Sequence, residues 1–284
     1  MVNVPIAAEP IFSIGSFLVT NAQINATAAL VIFLIIGLFV RSRVKMKPGR
    51  LQNFVETAIE WVLGYFDQVT RDRERSKKFL PLVGTLFFFI LVSNWMGLLP
   101  GVGSIVSSQM VHGELEAIPL FRPATSDLNL TLAMAIVSVI AAHFVGVATI
   151  GGWSHLNKFV QLKGFKAFTK LNPVGWLTAI IEFVVGLIEL VGEFAKVASL
   201  SLRLFGNVFA GEVLMTVMAS LLAFFLPLPF MALELIVGIV QATVFSLLTL
   251  VYLTVLSMPA HGDHEKHEEH VACGDKMVTA PSSS

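Results

Sequence analysis

The chain has 284 residues, of which 55% are hydrophobic and 13% charged, with a mean hydropathy of +0.79. A soluble domain carries roughly 25% charged residues, so this composition excludes a soluble globular protein and reads as an all-α integral membrane protein. The 19 Lys and Arg balance the 19 Asp and Glu, and the single Cys273 excludes an internal disulfide framework and a Cys-based zinc site.

Residues 1–25 contain no Lys or Arg and so lack the basic start of a secretory signal; they are read as a mature, external segment. Apolar runs follow near residues 26–40, 79–99, 128–150, 174–226 and 230–257. They predict about five transmembrane helices within one membrane domain, 26–258. Pro48-Gly49 ends the first span, and a segment of different periodicity follows. Leu51, Phe54, Val55, Ala58, Val62, Tyr65, Phe66 and Val69 recur at three- and four-residue steps, with Gln52, Asn53, Glu56, Glu60 and Asp67 on other faces. This is an amphipathic helix over about 51–70, expected at the membrane interface.

Pro81 is expected in the first turn of the second span, and Trp95 and Pro100 at its outer end. Gly97 to Gly101 has GxxxG spacing, but Pro100 inside it favours a helix exit over a dimer seam. Ser126-Asp127 caps the third span, where His143 is the lone ionisable group and is read as a buried, neutral, hydrogen-bonded residue. From Pro173 to Phe225 no proline interrupts the chain. A helix of that length reaches roughly 80 Å, against a hydrocarbon core of about 30 Å. The last two helices are therefore expected to be long and strongly tilted, joined at Leu226-Pro227-Leu228-Pro229, with Gly206-Asn207 as an alternative break.

Basic residues fix an orientation. Arg41, Arg43, Lys45, Lys47 and Arg50 follow the first run, and Arg71, Arg73, Arg75, Lys77 and Lys78 precede the second, so both clusters occupy one connection. Residues 100–126 hold only Arg122, and residues 151–172 hold four Lys. The positive-inside rule then places the amino terminus outside and the carboxyl-terminal tail, 259–284, in the cytoplasm. His261, His264, His267 and His270 recur in that tail among Asp263, Glu265, Glu268 and Glu269, a composition expected to be solvated and flexible rather than metal-binding.

Chemistry concentrates in the long fourth run. Glu182, Glu189, Lys196 and Arg203 are spaced by sevens, so on a helix they drift only about 20° per step and share one face, which Glu193 joins. Glu212 lies nine residues beyond Arg203, on roughly the opposite side. On the last helix Glu234 and Gln241 are again seven apart, followed by Ser246, Thr249 and Tyr252. A guanidinium cannot shed its proton to escape hydrocarbon, and insertion scales put its cost at about 2.5 to 3.5 kcal/mol. Four Glu, one Lys and one Arg in one apolar run exceed what helix packing needs, and intramembrane charges of this kind mark ion pathways.

Ser201-Leu-Arg-Leu-Phe-Gly-Asn-Val-Phe-Ala-Gly-Glu212 closely resembles the signature of subunit a of F-type ATP synthase. Pro123-Ala-Thr-Ser-Asp-Leu-Asn129, Asn172-Pro173, Gln241-Ala-Thr-Val-Phe and Leu250-Val-Tyr252 extend the resemblance over nearly the whole chain. It implies a non-catalytic, ion-translocating stator subunit, working with c-ring subunits, peripheral stalk b subunits and the rest of the complex in a bacterial plasma membrane. No cofactor, metal or nucleic acid is implied. Arg203 would face the ring carboxylates and block leakage between two offset half-channels. Asn207, Glu212, Glu234 and Gln241 would serve the outer half-channel, and Glu189, Glu193 and Lys196 the inner one. Many bacterial members have His where this chain has Glu234; two neighbouring carboxylates, Glu212 and Glu234, would then titrate as a coupled pair.

A secondary proton-coupled transporter would commonly show internal repeats, and none is seen. An intramembrane enzyme would need His143, His155 or a serine in a nucleophile or metal motif, and neither clustered Ser/His nor HExxH spacing occurs.

Overall fold

A computed structural model describes residues 10–14, 17–45, 49–99, 106–111, 114–119, 122–151, 173–221 and 227–257. The first nine residues, Pro100-Gly101, His155 and the four Lys of the 151–172 segment, Leu226 of the inter-helix joint, and the His-rich tail with Cys273 lie outside the described residues.

The fold is built from helices, with two small antiparallel hairpins that periodicity did not predict. Strands β1 (Pro10–Ile14) and β2 (Phe17–Thr20) pair at the amino-terminal end, and β3 (Val106–Val111) and β4 (Glu114–Pro119) pair in the connection after the second span. Helix α1 (Asn21–Arg43) starts ahead of its apolar run because Thr20 caps it. The Thr20 hydroxyl accepts from the Gln23 amide at 3.4 Å, and the Gln23 side chain accepts from the Thr20 amide at 3.3 Å, a reciprocal capping box. Leu34, Ile35, Leu38 and Phe39 along α1 are exposed, as a lipid-facing helix requires.

Helix α2 (Arg50–Thr70) is the amphipathic segment. Its carboxyl-terminal half buries Val62, Leu63 and Phe66, whereas Leu51, Phe54 and Trp61 remain exposed. Helix α3 (Arg73–Gly97) starts well before its apolar run, so Pro81 lies in the helix interior and not in its first turn. Polar contacts secure the extra turns: the Asp72 carboxylate caps the Glu74 amide at 2.9 Å, and Arg73 reaches Asp67 at 2.6 Å and Glu60 at 2.5 Å on α2. The Thr85 hydroxyl donates to the Pro81 carbonyl. Helix α3 exits at Gly97, where an added Cβ would lie 2.8 Å from the Pro123 Cβ.

A 3-10 turn (Ala124–Ser126) leads into α4 (Leu128–Ile150), whose cap is Asp127 accepting from the Asn129 amide at 2.9 Å. Helix α5 (Pro173–Leu221) runs 49 residues without a break at Gly206-Asn207, and α6 (Pro227–Ser257) runs 31. These lengths correspond to about 73 and 46 Å, more than a perpendicular span uses. Among the described residues α1, α3, α4 and α6 are apolar and long enough to cross a membrane; α5 is the longest described helix and carries Glu189, Glu193, Lys196, Arg203 and Glu212.

Helices α3, α4, α5 and α6 pack around one core containing Val83, Ile90, Ala135, Ala142, Leu204, Ala242, Phe245, Leu250 and Leu253. Lipid tails are as apolar as leucine, so association rests on close van der Waals fit and buried polar contacts. The alanines at the seam permit that fit. The Thr125 hydroxyl to Asn94 contact, 2.5 Å, ties the start of α4 to the end of α3.

Two tests follow from this packing. Gly97→Val drives a side chain into Pro123, with an expected cost of about 1–3 kcal/mol read as a lower melting temperature in detergent. The Asp67 carboxyl is held below its ordinary value, chiefly by the Ser76 hydroxyl, with partial burial opposing and Arg73 reinforcing. Its contribution is therefore present above the unfolded carboxyl range and lost as pH falls through the lowered folded value. Asp67→Asn should melt lower than the parent at neutral pH, and the two curves should converge on acidification.

Candidate functional site

The long α5 helix positions three groups of polar side chains at three levels. Its buried face presents Leu200, Ser201, Leu204, Val208 and Gly211 toward its neighbours. Arg203 is exposed beside that face and, among the described residues, makes no hydrogen bond or ion pair. It is a fixed cation on an apolar helix with its countercharge not supplied by the described chain.

One turn further along α5, the Asn207 side-chain amide donates to Gln241 Oε1 on α6 at 2.7 Å. Gln241 is buried, and its Nε2 has no hydrogen-bond partner among the described residues. Beyond it, Glu212 forms an ion pair with Arg122 at 2.7 Å, with a second contact from Arg122 Nε to the other oxygen at 3.0 Å. Arg122 is only 3% exposed. Its guanidinium also lies 5.9 Å from the Phe209 ring centre, and its carbonyl accepts from Asn25 of α1 at 2.7 Å. Glu234 of α6 sits directly against Gly211, at a place where any side chain on residue 211 would collide with the carboxylate. Thus the structure gathers Asn207, Glu212, Glu234 and Gln241 on one stretch of the α5–α6 seam.

Arg122 is the residue that sequence reasoning missed. Its signal was available: it is the lone basic residue of 100–126 and lies five positions ahead of the Asp127 cap. Beside its expected neighbour Glu234, Glu212 has an ion pair with Arg122. No hydrogen bond joins the two carboxylates among the described residues.

Toward the opposite end of α5, Lys196 donates to Glu193 Oε1 at 2.6 Å, and His143 of α4 meets Glu193 Oε2 at 3.3 Å. The Lys196 ammonium also lies 5.4 Å from the ring centre of Tyr252 on α6. His143, expected as a buried, hydrogen-bonded residue, has a polar partner in Glu193 but is only partly buried, at 28% side-chain exposure. Glu189, one turn before Glu193, is half-buried and makes no ion pair among the described residues; the Glu182 side chain lies outside them. No group of three or more His, Cys, Asp and Glu side chains able to hold a metal occurs among the described residues.

Breaking one partner of a buried pair strands the other charge, at a cost of about 3 to 5 kcal/mol. Arg122→Met should accordingly lower the melting temperature strongly, and the double variant Arg122→Met/Glu212→Leu should recover much of that loss. Additive losses in the double variant would show that the pair is not coupled.

Comparison with known proteins agrees with this architecture. A family model described as ATP synthase A chain matches residues 24–254. An ATP synthase subunit a of Trichlorobacter lovleyi is 32% identical over 241 residues, covering 85% of this chain and 89% of the relative. One from Desulfosudis oleivorans is 35% identical over 244 residues, covering 85% and 90%, and one from Geobacter sulfurreducens is 32% identical over 232 residues, covering 82% and 85%. With a family match across most of its length and relatives aligned over most of theirs, this multi-pass bacterial membrane protein belongs to the ATP synthase A chain family.

Proposed function

We propose that this chain is the ion-translocating stator subunit of an F-type ATP synthase, set against a ring of c subunits and held by a peripheral stalk. The observation that carries the reading is Arg203: a permanently charged group, exposed on an apolar helix, with no countercharge among the described residues. A carboxylate arriving on a neighbouring subunit would supply that charge. An opposite charge a few Å away favours the ionised carboxylate, so Arg203 would drive proton release from each arriving ring site and prevent direct leakage past it.

Asn207, Gln241, Glu212 and Glu234 form the outer half-channel in this reading. Their grouping on the α5–α6 seam supports it, with Arg122 as an additional wall charge. Glu189, Glu193 and Lys196 form the inner half-channel, about 15 Å along the helix from Arg203 to Glu193 at 1.5 Å per residue. The amino-terminal segment would lie outside, and the tail from residue 259 in the cytoplasm, because the Arg and Lys clusters of residues 41–50 and 71–78 mark the inner side. The driving force is the membrane field, about 2.3 kcal/mol per charge per 100 mV.

In the reconstituted complex, Arg203→Ala should abolish coupled ATP synthesis while the subunit still inserts; normal ATP-driven pumping by this variant overturns the reading. Glu212→Gln and Glu234→Gln should each slow proton flux and alter its pH dependence. An unchanged profile in both and in the double variant removes them from the path.

A further inference from the structure

The three-helix cluster around Glu193 contains more than an ion pair. Each carboxylate oxygen has its own partner: Oε1 takes the Lys196 ammonium at 2.6 Å, and Oε2 faces His143 Nε2 at 3.3 Å. His143 is partly open, at 28% side-chain exposure, whereas Glu193 is at 12%. Among the described residues, the charged and titratable groups near this imidazole include Glu193 and Lys196 on α5 and, behind the lysine, Tyr252 on α6, with Glu189 one helical turn away.

Chemistry distinguishes the members of this cluster. Lys196 gives Glu193 Oε1 a charge-assisted hydrogen bond and leaves Oε2 to the imidazole. Imidazole is the side chain whose ordinary charge change falls between about pH 5 and 8. A carboxylate held against one ring nitrogen stabilises the imidazolium as it forms and orients the ring. His143 also has the right level: it lies seven residues, about 10 Å, from the Ile150 end of α4, between that end and the level of Arg203.

We propose that His143 is the proton-exchanging group of the inner path, with Glu193 as its orienting partner and Lys196 holding the other oxygen of that carboxylate. The inference rests on the proposed function, since it assigns a residue to that path. In the loading step an O–H bond of a protonated water breaks as an N–H bond forms at the ring nitrogen away from Glu193, while Nε2–H stays donated to Glu193 Oε2, leaving neutral water and an imidazolium facing that carboxylate. Release is the reverse transfer to water on the inner side. No electron transfer or co-reactant is involved.

The test uses the whole ATP synthase reconstituted in liposomes, with ATP-driven proton pumping measured while pH is varied on the inner-path side. Arg203→Ala and the parent complex run alongside. His143→Gln retains a donor for Glu193 but cannot carry a proton. It should slow pumping by about tenfold or more and change the pH dependence of pumping relative to the parent. Parental rate and profile in His143→Gln overturn the assignment and leave a packing role. Should that variant fail to assemble, His143→Ala provides the second measurement: restoration of flux by added imidazole, and not by an uncharged alcohol, supports the assignment, and no restoration in an assembled complex overturns it. If the parent pumps and Arg203→Ala does not, while His143→Gln behaves as the parent, this inference alone fails. Pumping by Arg203→Ala at the parental rate is failure of the underlying functional reading.

Discussion

Charge in hydrocarbon has to be answered by opposite charge, by hydrogen bonds or by water, and the arrangement of this molecule follows from how each charge is answered. Arg122 and Glu212 answer one another across the α5 contact with the turn before α4. Glu193 is answered twice, by Lys196 on its own helix and His143 on the next. Arg203 lies between these two closed clusters and makes no such contact among the described residues. Arg203 thus differs from Arg122 and Lys196, the two membrane cations that meet a carboxylate within the described residues, in being exposed and without such a contact.

Close helix approach makes those internal answers possible. Short polar contacts such as Asn207 to Gln241 need backbones that come near each other, and Gly211 against Glu234 shows how tight the seam becomes. Ala135, Ala142 and Ala242 in the core do the same for the other pairings. Because lipid offers no hydrophobic penalty for separation, this fit carries the association, and the polar contacts set its register.

Much of the helical fold was legible because apolar runs and capping residues are local signals. The proline-free stretch announced α5, and Asp127 announced the start of α4. The start of α3 was misplaced because Arg73, Arg75, Lys77 and Lys78 have the composition of a loop; contacts from Arg73 to the preceding helix make them helical turns instead. The two hairpins were missed because they are short and flanked by longer signals. Heptad spacing placed Arg203, Lys196 and Glu189 on one face, as a property of one helix must. It could not reveal which residues on other helices meet that face. Hence neither the partner of Arg122 nor that of His143, which lies fifty positions from Glu193, is visible in the sequence.

The unbroken course of α5 has a mechanical consequence. Arg203 sits ten residues from Glu193 and nine from Glu212, so roughly equal lengths of about 15 and 14 Å separate it from the two ionic ties of the helix to its neighbours, with the Asn207–Gln241 contact between them. A helix fixed at both ends and loaded near the middle behaves as a clamped beam. A sideways pull on the guanidinium, from any charge moving past in the membrane plane, is then shared between the two ties. Neither a hinge at Gly206 nor a loop intervenes to absorb it.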